Sequence, residues 1–195
     1  MRIAIDCDFD YFISLPKWNT VGMKKLLLLI YILFSLVSCT YVKTYIDVRN
    51  FEKQVINFPE VITSIEYGEI KDVHCSFTGP IFIVYFGPED CLDCKLAHLS
   101  DYYPLFALSD EFAFNIMLLV SPSVDEHSRV MSIIKDGKYQ FPVFIDSGNA
   151  FSLQNRNILN DSRFNHFLID DNRHPVFVGN PLSNRRLYRQ FIKQL

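Results

Sequence analysis

The sequence predicts a single α/β domain with a central mixed sheet flanked by helices. A short N-terminal targeting segment precedes this domain. Apolar runs of strand length alternate with segments of helical periodicity, the pattern of a largely parallel sheet covered by helices. The last two predicted strands instead follow each other across a short turn at Asn172 and Arg173, which predicts an antiparallel edge. A chain of 195 residues is long enough for one domain with a sizeable core.

The individual elements follow from apolar spacing and turn residues. Strands are predicted over residues 81–86, 112–120, 141–145, 164–170 and 176–178. The first is an uninterrupted apolar run, as expected of a strand that is buried on both faces. Helices are predicted after this strand, over 124–135 and over 187–195, from the helical spacing of apolar side chains. Residues 49–65 are assigned the start of a helix followed by strand or loop.

Composition excludes two classes of protein. The chain is 49% hydrophobic and 15% aromatic, which is too apolar for a disordered protein. Its formal net charge is -3 and it has no basic stripe, so a nucleic-acid partner is not expected. The cysteines are too few and too unevenly spaced for a disulfide scaffold. They are Cys7, Cys39, Cys75, Cys91 and Cys94.

Residues 23–38 have the organisation of a secretory signal. Two lysines follow Met23, and an apolar run over 26–37 leads to Cys39. The run is shorter than the about 20 residues that span a bilayer core, and its basic flank fits a signal peptide. Its end, Leu-Val-Ser-Cys, resembles the bacterial lipobox, which implies that Cys39 is lipidated. The alternatives are a short membrane anchor and a buried helix.

The segments on either side of this signal are interpreted from it. Residues 1–22 contain acidic side chains that do not suit a signal, so we interpret them as a mis-annotated extension upstream of the true start. The alternative is a real segment that modulates export. Residues 39–50 are predicted to be a tether for a domain over 51–195. Lipid on Cys39 would hold that domain at the cell membrane or outer membrane, facing the periplasm, an oxidising space.

The candidate chemistry lies in Cys91-Leu-Asp-Cys94, which follows a buried strand and opens a helix. In that context a C-x-x-C predicts a redox pair. Cys91 would lie at the helix N-terminus, where free N–H groups and the macrodipole stabilise a thiolate. Cys94, one turn further, can resolve a mixed disulfide. The alternative is a structural disulfide or two inert thiols.

The motifs around this pair resemble the thioredoxin superfamily, particularly the anchored TlpA-like and ResA-like thiol–disulfide lipoproteins of Bacteroidetes. They are IFIVYFGPEDCLDCK from Ile81, FPVFID from Phe141, FLID from Phe167 and VFVG from Val176. The resemblance covers residues 70–195 and implies a thioredoxin-like fold. It also implies thiol–disulfide exchange without an organic cofactor. The implied partners are extracytoplasmic protein thiols and disulfides, together with a thiol redox partner.

The chain departs from this family in the substrate groove. A proline, cis in the family fold, ordinarily lies three residues before the FLID strand and faces the disulfide, but Phe164 occupies that position. The resemblance places the groove at Phe164, Asn165 and His166, and we expect Phe164 to cover part of the Cys91 sulfur. The missing proline leaves open a redox-inactive binding module with the same fold.

Charge and spacing around the pair suggest two further properties. Carboxylates at positions 89, 90 and 93 disfavour a thiolate, and the positive charge of Lys95 offsets theirs only in part. This predicts that the Cys91 thiol is only weakly acidic. Cys91, Cys94 and His98 have a C-x2-C-x3-H spacing that a fourth ligand, His166 or Cys75, would complete. One matched spacing is weak support, so no metal is assigned, and a metal-delivery protein is the third and weakest functional hypothesis. His98 and Cys75 are interpreted as a surface histidine and a buried thiol.

Overall fold

The computed structural model describes residues 43–159 and 161–195, apart from the side chains at 157 and 158. The chain divides into two units, Met1–Ile46 and Asp47–Leu195; in the first, the described residues 43–46 are helical. The extension 1–22, the signal 23–38 and the lipidation site Cys39 lie outside the described residues. Within the described part of the chain, no helix has the length and apolar character needed to cross a membrane.

The unit Asp47–Leu195 is built on a seven-stranded sheet. In sequence order the strands are β1 (Val61–Glu66), β2 (Glu69–His74), β3 (Ile81–Phe86), β4 (Asn115–Val120), β5 (Val143–Ile145), β6 (His166–Ile169) and β7 (Pro175–Val178). Their order across the sheet is β2-β1-β5-β4-β3-β6-β7. The three middle strands, β5, β4 and β3, run parallel, whereas the pairs at both edges are antiparallel. The predicted mixed sheet is therefore confirmed.

Helices connect the strands and cover the sheet. They are α1 (Leu92–Ala97), α2 (Tyr103–Phe112), α3 (His127–Gly137), α4 (Ala150–Gln154), α5 (Arg156–Leu159) and α6 (Arg185–Ile192), with 3-10 turns at Leu99–Tyr102 and Ser162–Phe164. The β3-α-β4 and β4-α-β5 crossovers, followed by the β6–β7 hairpin and a closing helix, make a thioredoxin-like fold, as predicted.

Strand β3 separates two hydrophobic clusters because all six of its residues are buried. Successive side chains on a strand point to opposite faces. Phe82, Val84 and Phe86 therefore pack in a first cluster, which also contains Leu92 and Leu96 of α1. The alternate β3 residues pack in a second cluster on the other face of the sheet. Helix α1 is thus fixed on the first-cluster face, at the carboxyl end of β3.

The structure differs from the sequence prediction at several elements, and three of these differences have a clear local cause. The hairpin of β1 and β2 was not predicted because β2 is polar and almost fully exposed; its two strands are joined by Tyr67 and Gly68, both at positive φ, as in a tight hairpin turn. Strand β4 begins at Asn115 because α2 runs to Phe112 and ends with Ala113 in the left-handed region. Strand β6 begins at His166 because a 3-10 turn precedes it.

The domain also begins earlier than residue 51. Residues 47–52 are helical, Phe51 is buried in the second cluster, and Asp47 pairs with Arg163 at 2.7 Å. The last residues assigned to the tether therefore form part of the compact unit, since they pack against a turn more than a hundred residues away in sequence.

Candidate functional site

Cys91 and Cys94 form a disulfide at the N-terminus of α1, with a Cα–Cα distance of 5.4 Å. Cys91 is the N-cap residue, and its carbonyl accepts the first helical hydrogen bond from the Lys95 N–H (3.1 Å). Leu92 and Leu96 bury the inner face of the helix, so both cysteines lie on its outer face and are exposed. The structure therefore presents the disulfide to solvent at a helix N-terminus, where a thiolate is stabilised once the pair is reduced.

A tight turn between Gly87 and Asp90 positions the start of this helix. The Asp90 N–H donates to the Gly87 carbonyl (3.1 Å), and the Asp90 carboxylate accepts from the Gly87 N–H (2.8 Å). Beneath the turn, the Tyr85 ring approaches Gly87 so closely that a Cβ there would lie 3.0 Å from a ring carbon. A side chain at position 87 would therefore require the Tyr85 ring to shift.

The charges around the pair are more balanced than the sequence suggested. Asp93 forms an ion pair with Arg129 of α3, and Arg129 also contacts Glu126 at 3.0 Å. The Lys95 ammonium lies over the Phe86 ring, 5.9 Å from its centroid. The negative charge of Asp93 is thus offset by a cation that is distant in sequence and was not predicted.

Asn165 and the turn before Cys91 are joined by a hydrogen bond. The Asn165 side-chain amide donates to the Asp90 carboxylate (3.2 Å), and the Asn165 main-chain carbonyl accepts from the Tyr85 N–H (2.8 Å). Only 7% of Asn165 is exposed. The structure therefore brings this predicted groove residue to the redox turn, with its polar side chain already occupied.

His166 lies on the first-cluster face and pairs with Tyr102. Its Nε2 is 2.9 Å from the Tyr102 hydroxyl. Burial lowers the pKa of His166 to about 4, with Lys95 acting in the same direction and Asp90 against it. Burial, with a contribution from Asp101, raises the pKa of Tyr102 to about 12. At neutral pH a protonated hydroxyl therefore faces a neutral imidazole, and the imidazole tautomer sets the direction of the hydrogen bond between them.

Phe164 has a different environment from the one expected. Its ring stacks on Phe51 with centroids 4.5 Å apart, the Arg163 guanidinium lies 5.6 Å from its centroid, and 6% of the residue is exposed. It belongs to the second cluster, whereas α1 packs on the first. We expected Phe164 to cover part of the Cys91 sulfur, but its ring packs in the core instead. The apolar surface of Phe51 accounts for this position.

A buried carboxylate near the same end of the sheet was missed by the sequence analysis. Asp146 follows β5, is 3% exposed, and accepts hydrogen bonds from the Ser121 hydroxyl (3.0 Å) and the Phe151 N–H (3.1 Å). Such bonds are what a buried carboxylate requires. Burial raises the pKa of neighbouring Tyr85, against hydrogen bonds from Ser121 and Ser152. Polar residues directly after buried strands were the signal that could have revealed this network.

The remaining candidate residues lie apart from a common site. The His98 Nδ1 is 3.2 Å from the Asp101 carboxylate, and within residues 43–159 and 161–195 no group of three metal-ligating side chains could hold an ion. Cys75 packs against the second cluster, on the opposite face from α1, beside a cavity of about 340 Å³. Burial raises the pKa of its thiol, against the effect of Arg173.

Comparison with known proteins gives structural neighbours only. No protein-family model matches the chain, and no curated protein is significantly similar to it in sequence. Among solved structures, AhpC from Enterococcus faecalis is 15% identical, with 71% of this chain and 87% of that one covered and a TM-score of 0.46. A putative thiol:disulfide interchange protein DsbE from Chlorobium tepidum is 12% identical, with coverages of 72% and 96% and a TM-score of 0.46.

A third solved structure is an uncharacterized thioredoxin-like protein from Porphyromonas gingivalis, which is 17% identical, with coverages of 72% and 91% and a TM-score of 0.41. These similarities concern the fold and do not define an activity. The assignment of a thioredoxin-like fold to this chain rests on its strand order and crossovers.

Proposed function

We propose that the protein is a membrane-anchored, extracytoplasmic thiol–disulfide oxidoreductase that acts through Cys91 and Cys94. The observation that carries the proposal is the exposed disulfide at the N-terminus of α1. Exposure gives a partner access, and the helix N-terminus favours the thiolate of Cys91. Structural disulfides need neither feature.

The proposed reaction uses the two cysteines in turn. In the reduced protein the Cys91 thiolate attacks one sulfur of a substrate disulfide, whose S–S bond breaks as a mixed disulfide forms. The first substrate thiolate leaves and takes up a proton from water. Cys94, once deprotonated, attacks the Cys91 sulfur, restores the intramolecular disulfide and releases the second thiol. Two electrons pass to the substrate, and an external thiol must reduce the pair again; no organic cofactor takes part.

The location of this activity rests on the sequence. The signal-like residues 23–38 and the lipobox ending at Cys39 support a lipid anchor and a periplasm-facing domain, as in the TlpA-like and ResA-like lipoproteins that the motifs resemble. We infer that the substrates are extracytoplasmic protein thiols and disulfides, and that an extracytoplasmic thiol protein is the redox partner. An oxidising compartment would also supply the disulfides on which the reduced pair acts.

A single-turnover experiment tests the activity. The full chain is reduced, freed of reductant and mixed with glutathione disulfide or with insulin, and the redox state of each cysteine is read by alkylation and mass spectrometry. Oxidation of Cys91 and Cys94 with release of substrate thiol is expected, together with its loss in Cys91→Ser and its retention in Cys75→Ser. A pair that stays reduced with both substrates would contradict the proposal.

A second candidate function is a binding module that retains the fold without turnover. The hydrogen bonds of Asn165 favour it, because they engage the polar groups of this residue within the protein, next to the turn that carries Cys91. The binding-module hypothesis predicts that a partner binds the oxidised chain and the Cys91→Ser chain equally well. The oxidoreductase hypothesis predicts a covalent adduct between the chain and its partner that requires Cys91.

A further inference from the structure

The turn that precedes β6 lies beside the redox pair and is closed by its own hydrogen bonds. It spans Asp161 to Asn165 and includes the 3-10 turn Ser162–Phe164. The Asn165 side chain reaches Asp90 (3.2 Å), the residue before Cys91. We call this segment the 161–165 turn, and a peptide disulfide-bonded to Cys91 would meet it at Asn165.

An extended peptide commonly gains affinity by pairing its backbone with free main-chain groups of the protein. On the 161–165 turn three of the amides are already used. The Arg163 N–H donates to the Asp161 carboxylate (3.0 Å), the Phe164 N–H donates to the Asp161 carbonyl (2.9 Å), and the Asn165 N–H donates to the Ser162 carbonyl (3.3 Å). A substrate backbone cannot accept from any of these three donors unless the turn opens.

A second set of contacts holds the turn from outside. The Arg163 guanidinium binds the Asp161 carboxylate through its Nε (2.8 Å) and the Asp47 carboxylate through Nη2 (2.7 Å). Both carboxylates raise the pKa of Arg163. Asp47 belongs to the helical residues whose Phe51 stacks on Phe164, so the turn is tied to the start of the domain by one ion pair and one aromatic stack.

We propose that Asp161 determines substrate specificity: it caps the 161–165 turn, withholds main-chain donors of this turn from extended polypeptides bound at Cys91, and so favours small or side-chain-exposed disulfides. The inference rests on the proposed oxidoreductase activity and adds its substrate class. Asp161 acts through the turn and is a positioning residue, while the Asp47–Arg163 pair supports it.

The test compares two substrates in the full chain. Single-turnover rate constants are measured for insulin, whose disulfides lie within polypeptide, and for glutathione disulfide. Asp161→Ala removes the capping acceptor, which is worth about 1 kcal/mol, so the insulin-to-glutathione ratio should rise about fivefold. Asp161→Asn keeps an oxygen acceptor and should stay near wild type. Asp47→Ala should raise the ratio by less than Asp161→Ala does.

Asp136→Ala is the matched control, because it also removes a carboxylate with a serine hydrogen bond (3.3 Å) but lies at the far end of α3. Its ratio should equal that of wild type. An unchanged ratio in both Asp161→Ala and Asp47→Ala would overturn the inference, as would an equal rise in Asp161→Asn and Asp161→Ala.

Amide hydrogen exchange tests whether the 161–165 turn is closed, independently of activity. The amides of residues 163–165 should be protected in wild type and exchange faster in Asp161→Ala, and free exchange in wild type would overturn the inference. If the wild-type chain reduces neither substrate while these amides are protected, the proposed function fails and the closed turn remains as described. If Asp161→Ala does not fold, Asp47→Ala and the wild-type exchange data decide.

Discussion

The clearest energetic consequence of the site concerns His166. Its folded pKa is about 4 and its ordinary value is 6.5, because burial and Lys95 oppose the charged form more than Asp90 favours it. The unfolded chain therefore binds a proton at a pH where the folded chain does not. The stability that neutral His166 contributes is fully present above about pH 6.5 and is lost as the pH falls towards 4.

The size of this effect follows from the two pKa values. Each pKa unit corresponds to about 1.4 kcal/mol, so at most about 3 kcal/mol of unfolding free energy is lost through His166 between about pH 7 and about pH 4. The substitution His166→Gln removes the titration but leaves an acceptor for the Tyr102 hydroxyl. The variant should lose about 2–3 kcal/mol less than wild type upon acidification.

Urea unfolding at the two pH values measures this difference, because contributions from all other titrating groups cancel between the two proteins. His98→Gln is the control, since His98 is exposed and pairs only with exposed Asp101 among the contacts described for it. Its acid sensitivity should match that of wild type. Equal acid sensitivity of His166→Gln and wild type would refute the buried, neutral state of His166.

Three further predictions concern targeting and packing. Radiolabelled palmitate should enter wild type and be absent from Cys39→Ala, and equal labelling would reject the lipobox interpretation. Deletion of residues 1–22 should leave export and lipidation intact in a cell-fractionation experiment, whereas loss of export would show that the extension is functional. Phe51→Ala removes the ring that stacks on Phe164 and should lower the unfolding free energy by about 3–5 kcal/mol in urea titration; a loss below about 1 kcal/mol would show that the stack does not hold the domain's start.

The parts of the fold that the sequence predicted are those where one local pattern has one physical explanation. Strand β3 was predicted at its observed bounds because six consecutive apolar residues between turn signals fit only a strand buried on both faces. Strand β2 was missed because its side chains face solvent and carry no apolar pattern. The start of β6 was placed too early because Phe164 is apolar, while the Asp161 cap that turns the chain there was overlooked.

The candidate site divides in the same way. The position of Cys91 at a helix start was predictable because strand, turn and helix are contiguous in sequence. The Tyr102–His166 contact joins residues 64 positions apart, and the Arg163–Asp47 contact joins residues 116 positions apart. Such pairs depend on how elements that are distant in sequence pack together, which no local pattern encodes.

The central claim is that Cys91 attacks and Cys94 resolves. It is tested most directly by trapping the mixed disulfide: the full chain carrying Cys94→Ser and, separately, the chain carrying Cys91→Ser are reduced and mixed with glutathione disulfide, and the modified cysteine is located by mass spectrometry. The account predicts a stable glutathione adduct on Cys91 in the first chain and no comparable adduct on Cys94 in the second. Equal modification of the two cysteines, or modification of Cys75 at the rate of Cys91, would contradict it.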